Sequence, residues 1–240
     1  MSRKALVTGA SSGIGRAICE NLLETGHQVV GLARNFSRFP CTHPDFEPWT
    51  LDLSDLEALP GHLRQLMTAH PQIDAIVCSA GQGRFGELEQ FSYAQIRALM
   101  DLNFTSHAFV ARTFLPLLKK AGHGDLVFIG SEAALRGTRK GAVYCASKFA
   151  VRGFAQALRE ESARAGVRVS IVNPGMVRTP FFDELDFEPG DNPANYILPE
   201  DVARAVSMIL SARPGTVFDE IDLSPLKPVI EFNPQKKKGE

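Results

Sequence analysis

An α/β fold is what this sequence predicts, built on a doubly wound parallel sheet of about seven strands with helices on both faces, in three layers. Three observations predict it. Strand-length apolar runs and stretches of helical spacing alternate from the first residues to about residue 223. The run Ile73-Asp74-Ala75-Ile76-Val77-Cys78 is nearly continuous in apolar character, as a central parallel strand buried on both faces must be. No repeat, linker or shift in composition divides the 240 residues, so a single domain over 1–240 is expected.

Each element follows in order. Lys4-Ala5-Leu6-Val7 is a short apolar strand. After Gly13, Ile14, Ala17, Ile18 and Leu22 recur at helical spacing until Gly26 stops the helix. His27 to Ala33 reads as strand two and Glu47 to Leu51 as strand three, followed by a helix from about Asp55, a residue able to cap it, to His70. Pro71 introduces strand four, residues 73–78. A long helix is expected from about Ser92 to Lys120, its end bent by Pro116, and then strand five over Asp125 to Ile129. Tyr144 to Ala165 is helical until Gly166, Arg168 to Val172 is strand six, Pro199 to Ser211 a last helix and Glu220 to Leu223 a last short strand. The segment 175–198 shows no clear element. A loop of that length predicts a substrate lid, with its phenylalanines over the substrate and Asp183, Glu184, Asp186, Glu188 and Asp191 facing solvent. Residues 233–240, with Lys236, Lys237 and Lys238, predict a disordered, solvated tail.

Charge narrows the partners. The chain has 26 Lys plus Arg against 27 Asp plus Glu, a formal net charge of −1, which argues against nucleic acid or an anionic membrane. No apolar run approaches the roughly 18–20 residues that span a bilayer, and no signal peptide is read before the strand at Ala5. Cys19, Cys41, Cys78 and Cys145 form no C-x-x-C pair, and the histidines no H-E-x-x-H spacing. Free thiols in a cytoplasmic protein without a metal are expected, with a small molecule as the main partner.

The first chemistry-bearing motif follows strand one directly: Thr8-Gly9-Ala10-Ser11-Ser12-Gly13-Ile14-Gly15, opening a helix. Glycines let a backbone turn tightly against a pyrophosphate, and the free N–H groups of a helix N-terminus stabilise its charge. An acid that would bind a ribose 2′-hydroxyl is missing at the end of strand two. Arg34 stands there, with Arg38 nearby, and suits a 2′-phosphate, so NADP is favoured and NAD is the alternative. Asp52, ending strand three, is placed to receive the adenine amino group or to cap the next element.

The second motif is a constellation. Tyr144 and Lys148 stand four apart and share a helix face, and Ser131 lies just beyond the C-terminal end of strand five, where open α/β sheets bind ligands. A lysine ammonium some 4–5 Å from the phenol would lower its pKa by roughly two or three units and let it exchange a proton near neutral pH. Ser131 would donate to a substrate oxygen as charge develops there.

These motifs, with Asn173-Pro174-Gly175, resemble the smaller, single-domain branch of the short-chain dehydrogenase/reductase family, over nearly the whole chain and in the family's order. The resemblance implies a Rossmann-type fold and an NADP-dependent oxidoreductase acting on a small carbonyl or alcohol, usually as a homodimer or homotetramer. It implies Asn103, Ser131, Tyr144 and Lys148 as the catalytic residues, Asn103 holding a water of the proton relay and Lys148 also holding the nicotinamide ribose. Thr179 would contact the carboxamide, and Leu53, Ala80, Gly81, Pro174 and Val177 would complete the cofactor site. Two departures stand out. The family's N-N-A-G is Cys78-Ser79-Ala80-Gly81 here, and its common V-D-G-G-type ending is replaced by Glu220-Ile221-Asp222-Leu223-Ser224-Pro225-Leu226, which resembles the subgroup acting on short hydroxy acids and related small alcohols. Arg136, Arg139 and Lys140, between Ser131 and Tyr144, are solvated charges or partners of a substrate carboxylate. Faces of the long helix, including Phe104, Val110 and Phe114, and of the Tyr144 helix either pair across a two-fold axis, as dimers of the family do, or belong to the core. A non-catalytic NADP-binding regulatory or interaction protein is the alternative, and a sugar-nucleotide epimerase is disfavoured by the chain's length.

Overall fold

A computed structural model describes residues 2–232. Seven parallel strands form one sheet, in the order β3-β2-β1-β4-β5-β6-β8: β1 (Lys4–Thr8), β2 (Gln28–Ala33), β3 (Phe46–Thr50), β4 (Ala75–Cys78), β5 (Gly124–Ile129), β6 (Val167–Pro174) and β8 (Glu220–Leu223). This is the doubly wound, Rossmann-type sheet. Side chains alternate across it because successive Cβ atoms point to opposite faces. Ala5, Val7, Ala75, Val77 and Val127 pack with α1 (Gly13–Glu24) and α6 (Pro199–Ser211), whereas Leu6, Ile76, Leu126 and Phe128 pack with α2 (Leu59–Ala69), α4 (Ser106–Ala121) and α5 (Ala142–Ser162). Helices on both faces make the three layers. Strand order reverses between β1 and β4, so the connections that follow these two strands diverge and open a crevice at their C-terminal ends.

The opposite edge is closed by ions. Asp125, 2% exposed, pairs with Arg3 at 2.6 Å and Arg168 at 2.8 Å, and Arg3 also reaches Asp74 at 3.2 Å. These pairs tie the starts of β1, β5 and β6 together below the crevice.

Several expectations are corrected. The helix after strand three begins at Leu59 rather than Asp55, because Asp55 closes a turn by accepting the Ala58 N–H at 3.1 Å. The long helix is α3 (Tyr93–Met100), a π-helical turn over Asp101–Thr105, and α4, which continues past Pro116 to Ala121. Residues 175–198 are structured: short 3-10 turns lie at Pro180–Phe182 and Pro193–Asn195, Val177 bridges Ile197, and β7 (Phe187–Pro189) pairs antiparallel with β9 (Ile230–Phe232). Of its five acids, Asp186 and Glu188 are half-buried and partnered rather than free in solvent. Val110 and Phe114 are fully buried and belong to the core, so neither can serve a two-fold contact. Phe104 packs edge-on against Phe154 at 5.7 Å. The tail expectation at 233–240 lies outside the described residues. Among the described residues, no helix is long and apolar enough to cross a membrane.

Candidate active site

The C-terminal ends of β1, β4, β5 and β6 border a cleft of about 820 Å³. Its floor begins at the glycine-rich turn, where Gly9 (φ +70°) and Gly13 (φ +51°) hold left-handed backbone that residues with a Cβ rarely adopt. An added Cβ at Gly15 would overlap the Gly9 carbonyl oxygen, so only glycine lets α1 start this close to the turn. Gly9, Ser12, Gly13, Ile14 and Gly15 line the cleft; Ser11 stands half-buried beside it. Ser12 is the N-cap of α1 but makes no side-chain cap bond, and the first turn carries no acid. Uncapped N–H groups and the positive end of α1 are thus left facing the cleft, a cradle for an anion.

At one end stand Arg34 and Arg38, both exposed and both lining the cleft. Asp52 does not line it. Its carboxylate accepts the Ser54 N–H at 2.9 Å and the Ser54 hydroxyl at 2.7 Å, and these bonds, with Arg34 nearby, hold it below the usual carboxylate range. Asp52 and Arg34 instead share an adjoining cavity of about 350 Å³, while Leu53 is buried in the core.

The Ser79-Ala80-Gly81-Gln82 stretch after β4 is held from three directions. Thr8, fully buried, accepts the N–H groups of Ser79 at 2.9 Å and Ala80 at 3.0 Å. His107 donates from Nε2 to the Ala80 carbonyl at 2.8 Å, and burial with the nearby Lys148 charge lowers its pKa to about 3, so the ring is neutral. Asn103, on the π-helical turn, grips Gln82 twice: Oδ1 accepts its N–H at 2.9 Å and Nδ2 donates to its carbonyl at 3.0 Å. Asn103 also donates to Ser147 Oγ at 3.1 Å, which donates to the Tyr144 carbonyl at 2.7 Å. Asn103 is fully buried and does not line the cleft; Ala80 and Gly81 do. These side-chain bonds hold the backbone where the first two positions of the N-N-A-G pattern are Cys78 and Ser79.

At the other end the structure brings Ser131, Tyr144 and Lys148 together, all at most 9% exposed and all lining the cleft. Ser131 caps a 3-10 turn by accepting the Ala133 N–H at 3.1 Å. Lys148 donates to the Ile129 carbonyl at 3.1 Å and lies 6.0 Å from the centre of the Tyr144 ring. The expected lowering of the phenol's pKa is not found in this arrangement. Burial pushes Tyr144 up to about 12 against the opposing pull of the Ser131 hydroxyl, and burial brings Lys148 down to about 8. The spacing of the pair is visible in sequence, but its dehydration is not, and dehydration dominates.

Pro174, ending β6, and Gly175, Val177 and Thr179 beyond it close the far wall, Thr179 lying 3.4 Å from where a Cβ on Gly13 would stand. Arg139 and Lys140 reach the rim and Arg136 does not; Arg139 is strongly exposed and 4.0 Å from Glu87. Sequence reasoning missed Gln82, Gly83, Phe85, Ile230 and Phe232, which line the same cleft. Nothing local marks them, because they are brought in by the 82–85 turn and by the β7–β9 pairing.

Residues 3–189 match the family described as short chain dehydrogenase. The chain is 30% identical to a sepiapterin reductase of Chlorobaculum tepidum, over 94% of this chain and 97% of that one. Among solved structures it is similar to an alcohol dehydrogenase from Thermococcus sibiricus complexed with 5-hydroxy-NADP (TM-score 0.85, 25% identity, 95% of this chain and 99% of that one). It is similar also to a putative NAD(P)-dependent gluconate 5-dehydrogenase from Beutenbergia cavernae with bound NADP (TM-score 0.82, 29% identity, 93% and 95%).

Proposed function

The chain belongs to the short-chain dehydrogenase family of oxidoreductases, enzymes of CH–OH and C=O groups, and from that premise we propose that it moves hydride between NADP(H) and a small carbonyl or alcohol, with Tyr144 as general acid–base. The observation that carries the reading is the joining, in one cleft, of an uncapped glycine-rich anion cradle at one end and Ser131, Tyr144 and Lys148 at the other. NADP-bound structural relatives at 25% and 29% identity support the cofactor.

The residues present fit such a cofactor. Three glycines, two in left-handed backbone and one without room for a Cβ, leave the start of α1 open to a pyrophosphate. Arg34 and Arg38, both in the cleft lining, suit a 2′-phosphate, since a guanidinium meets phosphate oxygens in a fork. Lys148, Thr179 and the Ala80–Gly81 backbone would hold the nicotinamide half, with Ala80 fixed by Thr8 and His107 and the following Gln82 by Asn103. When bound, the nicotinamide supplies the hydride in reduction and a positive charge in its oxidised form.

The protein's own part is proton management. In reduction, Tyr144 gives its hydroxyl proton to the carbonyl oxygen as the carbon–oxygen π bond breaks, and Ser131 donates a hydrogen bond to the same oxygen. A phenol held near 12 keeps its proton at neutral pH and so is loaded as the acid. The Lys148 ammonium, still charged below about 8, stabilises the phenolate that follows. Tyr144→Phe should retain NADPH binding, read by fluorescence titration, and lose carbonyl reduction by at least about a hundredfold. Undiminished turnover in that variant would refute the assignment.

A further inference from the structure

The Tyr144 phenol is one member of a closed circuit of aromatic rings. It meets Phe85 at 5.0 Å; Phe85 meets Phe187 at 5.0 Å, edge to face; Phe187 meets Phe182 at 5.9 Å; Phe182 meets Phe181 at 5.2 Å; and Phe181 returns to Tyr144 at 6.0 Å. Phe232, on β9, extends the circuit outward from Phe187 at 6.3 Å. All six rings line the cleft. Three features show that the circuit is built. Gly83 has no side chain because the Phe181 ring occupies the place a Cβ would take. The strand pair β7–β9 sets Phe187 directly opposite Phe232. Phe182, 8% exposed, packs with Met176 and Leu185 behind the wall.

Charges of both signs line the same end of the cleft. Arg84, Arg139, Lys140, Asp183 and Glu184 are exposed, and Glu132 and Asp186 are half-buried. Four acids outnumber the three rim cations at this end, and Lys148, whose Nζ lies 6.0 Å from the centre of the Tyr144 ring, already donates to the Ile129 carbonyl at 3.1 Å. Aromatic walls of this kind favour a ring presented edge-on or offset to them, beyond the general gain from burying apolar area.

We propose that the substrate of this site is an uncharged carbonyl compound, or its alcohol, carrying an aromatic or fused planar ring beside the reacting carbon, and that Phe85, Phe187 and Phe232 determine that preference. The proposal rests on the oxidoreductase reading above and narrows it: the short hydroxy acids implied by the resemblance of the C-terminal segment are a poorer fit, since their carboxylate would face phenyl rings and the acids of the cleft.

The test compares the NADPH-dependent reduction of phenyl methyl α-diketone, its cyclohexyl counterpart and phenylglyoxylate by the wild type, Phe187→Leu and Phe232→Leu. The readout is the ratio of kcat/KM for the phenyl over the cyclohexyl diketone. Intrinsic electrophilicity cancels when that ratio is compared between variant and wild type, as does any loss of folded enzyme. The ratio is expected to fall by about three- to tenfold in Phe187→Leu and less in Phe232→Leu, because Phe232 is largely exposed. Phe232→Leu, on the cleft rim, keeps the comparison open if Phe187→Leu does not fold. An unchanged ratio in each variant that folds, or a higher kcat/KM for phenylglyoxylate than for the diketones, overturns the substrate class while leaving the oxidoreductase reading standing. No NADPH consumption by the wild type with any probe overturns the substrate class, and failure of NADPH to bind in a fluorescence titration overturns the oxidoreductase reading as well.

Discussion

Replacing Lys148 by Met should make the cofactor-free protein more stable while removing its activity. Lys148 is 6% exposed, donates to the Ile129 carbonyl at 3.1 Å, and is brought by burial from an ordinary pKa of 10.5 to about 8. A basic group whose folded pKa is depressed carries its full penalty below that folded value, where it is charged in both folded and unfolded chains. The penalty is relieved as pH rises from about 8 to 10.5, where only the unfolded chain keeps the proton. The drop corresponds to roughly 3 kcal/mol. Met keeps most of the apolar stem but leaves the Ile129 carbonyl without its donor, at a cost of about 1 kcal/mol. A net gain near 2 kcal/mol remains at pH 7, or about 4–8 °C in Tm for a chain of this size. Thermal unfolding followed by circular dichroism or calorimetry at pH 7 and pH 10 reads it: the advantage should be clear at the first and largely gone at the second. A Lys148→Met protein no more stable than wild type at pH 7, or one whose advantage persists unchanged at pH 10, would refute the claim that this ammonium is held against its solvation.

Arg34→Asp should move the kcat/KM preference from NADPH toward NADH by at least tenfold or so, since it exchanges attraction for repulsion at a 2′-phosphate; an unchanged ratio would remove Arg34 as the determinant. Asp125→Ala leaves the paired Arg3 and Arg168 facing each other below the sheet and should cost about 3–5 kcal/mol, visible as a Tm lower by roughly 10 °C, with little change in KM. A loss of less than about 2 °C would mean that the ion cluster contributes little. His107 has a folded pKa near 3 against an ordinary 6.5, so its contribution is intact above 6.5 and is lost as pH falls toward 3. Acid unfolding of His107→Gln should therefore show a shallower fall in that window, and a parallel fall would assign the acid limb to other groups.

Strands β1, β4 and β5 were legible because both their faces are buried, so the apolar runs are nearly unbroken. The meeting of Tyr144 and Lys148 was legible from four-residue spacing on one helix, and that of Ser131 from its position past a strand end. Three things were not. The π-helical turn at 101–105 adds a residue to one turn without disturbing the surrounding apolar pattern, yet it sits where Asn103 reaches the Gln82 backbone. The β7–β9 pair joins three-residue segments more than forty positions apart, and such short strands carry no period of their own. The aromatic circuit draws on the 82–85 turn, α5 and the 175–198 segment, so its members are scattered phenylalanines in sequence and neighbours only in space.

The pKa values of Tyr144 and Lys148 move in opposite directions for one reason, and that reason links the site's stability to its chemistry. Burial disfavours the charged form of each: the phenolate by raising one group to about 12, the ammonium by lowering the other to about 8. Taken alone this is a poor place for either ion. The same dryness, however, strengthens any charge–charge interaction inside it, since a unit charge about 4 Å away is worth roughly 1 kcal/mol in water and about 4 kcal/mol at an effective dielectric near 20. A phenol in solvent would respond weakly to a positive charge arriving beside it. One packed against Phe85 and Phe181 would respond by about three orders of magnitude in proton affinity, bringing 12 toward the range where proton exchange is fast. The aromatic packing would thereby make the acidity of Tyr144 conditional on what is bound, which is why its effect on the phenol and its effect on substrate choice should be altered together when Phe85, the ring that meets Tyr144 at 5.0 Å, is replaced.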